Sequence, residues 1–91
     1  MPQAAERRGE SRNRARGAVT MVVEGPLAWE IAGTLMNLSP NGFCARCESR
    51  ELHRGDRIRF RHRKAAGWAV VIWTRIVGPT VEAGFHITSG T

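Results

Sequence analysis

The chain contains no tyrosine, one lysine (Lys64), two cysteines and no apolar run approaching 18 residues. The last absence leaves no candidate for a helix that crosses a membrane. Residues 1–16 are charged and lack the apolar stretch of a secretory signal, so a cytoplasmic location is expected. Two cysteines in that setting read as reduced thiols rather than a disulfide framework. They stand in Cys44-Ala45-Arg46-Cys47, where residues three apart on an extended strand point to opposite faces. There is no second pair, so no metal or redox site is expected. His53, His62 and His86 are scattered, without partners at ligand spacing, and read as surface or edge residues. No helical His-Glu-x-x-His, no ordered Ser, His and Asp set and no phosphate-cradling glycine loop occurs. No catalytic residue is therefore assigned, and neither enzymatic activity nor a cofactor is expected.

Acidic residues are also scarce. Eight Asp+Glu face 14 Lys+Arg, for a net charge of +6, and all but one of the cations are arginine. Arginine is favoured over lysine where phosphates are gripped in a fork or flat rings are stacked. A GC-rich coding bias would give the same excess, so position matters more than number. Residues 1–16 hold five arginines and two glutamates, and residues 46–64 hold eight basic and three acidic side chains. The chain thus has a basic leader and a basic middle, with a nearly neutral remainder.

Ninety-one residues make one domain with a small core. Residues 1–16 carry no apolar face and read as a flexible arm; residues 17–91 read as a barrel domain. From Val19 the pattern has period two. Val19, Met21 and Val23 alternate with Thr20, Val22 and Glu24, and Gly25-Pro26 marks a turn. Trp29, Ile31 and Leu35 line one face of a second strand, with Gly33 as a bulge or close approach. The segment from Asn37 to Gly42 carries proline and glycine and is expected to turn. Phe43 to Cys47 is a short third strand, followed by a polar loop to Asp56. Ile58 and Phe60 alternate with Arg57, Arg59 and Arg61 in a fourth strand. Ala65-Ala66-Gly67 is the next expected turn. Trp68 to Val77 is apolar on both faces and is expected to be central in the sheet. Gly78-Pro79 turns into a last strand through Val81, Ala83, Phe85 and Ile87. This predicts an all-β fold, a six-stranded antiparallel barrel, in which closure removes exposed edges. There is no helical stripe and no internal repeat.

Several landmarks in this order resemble the PilZ domain of bacteria. An arginine cluster with Arg-x-x-x-Arg spacing (Arg7, Arg8, Arg12) precedes the first strand, and an Asn-x-Ser-x-x-Gly turn (Asn37, Ser39, Gly42) follows the second. Leu52-His53-Arg54-Gly55-Asp56, the Val70 to Trp73 strand and Gly84-Phe85-His86-Ile87 are similar to further family landmarks. The resemblance spans about Glu6 to Ile87 and implies a six-stranded barrel that binds the second messenger cyclic di-GMP. It implies that Arg8 and Arg12, assisted by Arg7, contact guanine and phosphate, with Asn37, Ser39 and Gly42 as the opposite wall. Arg12 and Arg16 offer a second register for the same spacing. Asn37 stands where many members have Asp, and Ile87 replaces an aromatic. Arginine can bond the O6/N7 edge of guanine or lie flat on a base. The expected role is a receptor that relays the messenger to a protein partner when the arm orders over the ligand.

Two other functions are carried forward. One is a PilZ-like interaction module that binds no nucleotide. The other is a small basic barrel that binds RNA or single-stranded DNA. The second expects aromatics exposed among the basic residues. The arginine strand places Ile58 and Phe60 on its opposite face, so nucleic acid is not expected as a partner. Arg57, Arg59 and Arg61 read as a solvated face, and Trp29, Trp68 and Trp73 as core fillers.

Overall fold

A computed structural model describes residues 13–14 and 17–90. Arg7, Arg8, Arg12 and Arg16 lie outside the described residues. The strands are β1 (Asn13–Arg14), β2 (Ala18–Val23), β3 (Trp29–Ser39), β4 (Gly42–Cys47), β5 (Arg57–His62), β6 (Ala65–Val77) and β7 (Thr80–Gly90). All pairings are antiparallel, and there is no helix among the described residues. The order β3-β2-β5-β6-β7-β4 is closed by pairing of β3 with β4, which makes the expected six-stranded barrel. The short β1 extends β2's side of β3, with Asn13 opposite Leu38 and Arg14 opposite Asn37. It falls inside the segment read from sequence as an arm.

Period-two alternation builds the interior. Along β5, Ile58, Phe60 and His62 are buried while Arg57, Arg59 and Arg61 are exposed. Met21, Ile58 and Ala69 are wholly buried. Phe43 stacks on Phe85 with centroids 4.6 Å apart and tilts against Phe60 at 4.9 Å. Such aromatic packing adds about 0.5–1.5 kcal/mol per pair beyond area burial. Leu52, at 3% exposure, packs into the core from the loop after β4. That loop is held by Gly55 N–H donating to the Val71 carbonyl and Val71 N–H to the Asp56 carbonyl.

Several expectations need correction. His62 is not a surface or edge residue; it is buried and stacked on Phe60 at 5.6 Å. The turn expected at residues 65–67 falls at Arg63-Lys64, because Ala65 already pairs with His62. The turn expected across residues 37–42 is only Pro40-Asn41; Asn37 and Ser39 belong to β3. None of the tryptophans fills the core: Trp29 and Trp73 are exposed and Trp68 is half-buried. β6 is sandwiched over only part of its length. β5 pairs with it up to Val70, and Ile72 and Ile76 are exposed.

His62 makes stability depend on pH. Burial, and secondarily the charge of Lys64, holds its pKa below the ordinary histidine value of 6.5. Its Nδ1 also accepts a hydrogen bond from the Lys64 backbone N–H at 3.1 Å. Between the lowered folded value and 6.5 the unfolded chain binds more protons. The contribution is therefore complete above that value and is lost as pH falls through the window. The urea midpoint is expected to drop between pH 7 and pH 5, with a flatter profile in His62→Gln. Equal slopes for both proteins would refute the assignment.

Candidate functional site

The sites follow from how the barrel's registers line up on its outer surface. One continuous cross-strand row runs Arg14, Asn37, Cys44, Gly84, Trp73, each residue paired with the next. The adjacent row runs Ser39, Gly42, His86, Val70. The row on the other side runs Thr34, Arg46, Glu82, Arg75. Inward-facing Phe43, Phe85 and Val71 lie between the first two rows.

Two bulges put the first row together. On β3 the register slips at Met36, so Leu35 pairs with Ala45 and Asn37 with Cys44. The extra residue resets the alternation and turns Asn37 outward instead of placing it on the buried face with Leu35. On β6 it slips at Ile72, so Val71 pairs with Phe85 and Trp73 with Gly84. Trp73 is thereby carried to the outer surface.

Small side chains make the floor concave. Gly42, Cys44 and Gly84 sit where larger residues would fill the surface. Asn37, Ser39, Asn41, Gly42, Trp73 and His86 border the resulting groove of about 230 Å³. Gly84 has no Cβ because the Trp73 indole occupies that space; a Cβ there would overlap Nε1 and Cε2. Gly42 is needed for close approach rather than for an unusual φ. Its φ is not positive, and a Cβ would overlap the Phe85 carbonyl oxygen. Ser39 Oγ donates to the Gly42 carbonyl at 3.3 Å, at the lip of the groove.

An ion-pair clamp occupies the row next to that of Trp73 and Gly84. The buried Glu82 accepts from Arg46 Nη2 at 2.8 Å and from Arg75 Nη2 at 2.6 Å. These two bonds, Arg46's first, hold the Glu82 carboxyl below its ordinary range against the opposing effect of burial. Arg75 in turn lies 5.9 Å from the Trp73 ring centroid. The clamp thus fixes the cation beside the indole, and a cation over an indole face is attractive.

The structure brings Asn37, Ser39 and Gly42 to one groove. Asn13 pairs with Leu38 beside Ser39, and Arg14 pairs with Asn37. Arg7, Arg8 and Arg12 themselves lie outside the described residues. Asn41, Trp73 and His86 are groove residues that sequence reasoning missed; the long apolar run disguised Trp73, whose pairing with Gly84 is a matter of register. Cys44 faces outward and is half-buried, Cys47 is buried inward, and no disulfide joins them. No cluster of three or more His, Cys, Asp or Glu suited to a metal occurs among the described residues. No helix among them is long and apolar enough to cross a membrane. No protein-family model matches the chain, and no curated protein matches it.

Proposed function

We propose that this chain is a PilZ-like, non-enzymatic receptor for cyclic di-GMP, acting in the bacterial cytoplasm and relaying the messenger to a protein partner. The observation that carries the reading is the convergence of Asn37, Ser39 and Gly42 with an exposed indole on one groove, at the end where the arginine-bearing leader joins the barrel. At about 230 Å³ the groove is smaller than the roughly 300–1,000 Å³ of pockets that enclose a whole ligand. It would seat one part of the dinucleotide, and Arg7, Arg8 and Arg12 would supply the opposite wall.

Each group has a chemical task in this proposal. Trp73 offers a flat ring for a guanine to stack on. The Asn37 side-chain carbonyl can accept from guanine's N1 and N2 donors. The Ser39 hydroxyl can turn its donor from the Gly42 carbonyl to a phosphate. The arginines bond the O6/N7 edge or the phosphates. Closure of the leader over the bound ligand changes the surface offered to a partner.

Calorimetric titration with cyclic di-GMP tests the proposal, with GTP and cyclic AMP as controls. Trp73→Ala is expected to weaken binding about tenfold, the low end of a lost base–aromatic stack, while Trp73→Phe keeps most of the affinity. Amide exchange in residues 6–12 should become protected at saturating ligand. No heat at high cyclic di-GMP would overturn the receptor role and favour an interaction module that binds no nucleotide.

A further inference from the structure

A second groove, of about 680 Å³, lies on the outer face of β2, β5 and β6 and shares no lining residue with the first. Its centre is the cross-strand row Glu30, Val22, Arg59, Trp68, Ser89. The next row is Ala32, Thr20, Arg61, Ala66, whose small members leave the surface hollow. The expectation that aromatics are absent among the basic residues considered β5 alone. Pairing of β5 with β6 sets Trp68 directly opposite Arg59. The guanidinium carbons of Arg57 and Arg59 lie 4.6 and 5.7 Å from its ring centroid.

We infer that this arginine–tryptophan groove is a binding surface for single-stranded nucleic acid. Three features carry the inference together. Arg59 and Arg61 are exposed and have no carboxylate partner among the described residues, whereas Arg57 is paired with Glu24 at 3.6 Å. Among those residues no carboxylate therefore neutralises their charge, and Arg59 is engaged only with the Trp68 ring. Their alternate positions on one strand are about 6.6 Å apart, a spacing suited to successive phosphates of an extended strand. Trp68 lies beside them as a half-buried ring with adjacent cations, and a positive groove with an aromatic platform is the arrangement that tracks a backbone while stacking bases. The hydroxyls of Thr20 and Ser89 line the same groove and can bond sugar or phosphate oxygens. Glu30 is the one acidic side chain among the described lining residues, at the far end of the row from Trp68. An acidic peptide would satisfy the arginines but has no use for the indole opposite Arg59.

The test is fluorescence anisotropy of the full chain with labelled 12-mers of uridine and of thymidine, and a duplex of the same length for comparison. Both single strands are expected to bind more tightly than the duplex. Trp68→Ala should weaken binding about tenfold and Trp68→Phe far less, which separates stacking from a structural effect. Arg59→Ala/Arg61→Ala should make the slope of log K against log salt shallower by about 1.4, at roughly 0.7 per phosphate lost. Binding should persist in Arg8→Ala/Arg12→Ala and under saturating cyclic di-GMP, so the outcome does not depend on the receptor proposal. Loss of binding in that double variant would assign it to the leader and overturn the inference. So would affinity indifferent to Trp68→Ala, or a polyglutamate peptide binding in place of the oligonucleotides with the same arginine dependence. Urea midpoints of the variants establish that each is folded.

Discussion

Replacing Gly42 by alanine is expected to lower stability by about 3 kcal/mol, combining overpacking with weakened backbone hydrogen bonds. The new Cβ would overlap the Phe85 carbonyl oxygen and lie 3.2 Å from the Phe85 carbonyl carbon and 3.5 Å from His86 Cα. All of these are backbone atoms, so no side chain can rotate out of the way. The strands must part instead, where Gly42 pairs with His86 and the Ile87 N–H donates to the Asn41 carbonyl at 2.8 Å. With a denaturant slope of about 1–2 kcal/mol per M, the urea midpoint should fall by about 1.5–3 M. A fall below about 0.3 M would mean that β4 and β7 do not approach so closely. Because Gly42 is both the start of β4 and part of the groove floor, ligand binding should weaken with it.

The second large effect concerns ligand rather than stability. Arg8→Ala/Arg12→Ala together are expected to weaken cyclic di-GMP binding on the order of a hundredfold, since each arginine–guanine pair contributes about 1–3 kcal/mol. The urea midpoint should move little, because the core is drawn from Val19 onward and closes without residues before the first long strand. Calorimetry and denaturation on the same variant separate the two. Unchanged affinity would remove the leader from the site, and Arg12→Ala/Arg16→Ala would then test the alternative register. A large drop in midpoint would instead show that the leader is part of the fold.

Much of the barrel was legible because its cause is local. The Arg-Ile-Arg-Phe-Arg-His run of β5 can bury one face only as a strand, and it does so. Gly78-Pro79 turns the chain where expected, with Gly78 at φ +60°. Cys44 and Cys47 point to opposite faces because they are three apart on one strand. The Arg63-Lys64 turn was not legible, since neither residue is a typical turn former and the Ala-Ala-Gly that follows resembled one. His62 lies inside because it shares the parity of Ile58 and Phe60, which outweighs the preference of a titratable side chain for the surface.

The sequence by itself determined the alternation, the six strands of the barrel, the basic bias and the Asn-x-Ser-x-x-Gly spacing of Asn37, Ser39 and Gly42, but neither the short β1 nor the limits of that turn. Only the tertiary structure decided what stands opposite what. A single extra residue at Met36 turns Asn37 outward, and another at Ile72 lays Trp73 over Gly84. Strand register, not proximity in sequence, sets Trp68 against Arg59. Side-chain facing repeats every two residues, so one inserted residue reverses it, and the closing of the sheet selects where that insertion falls.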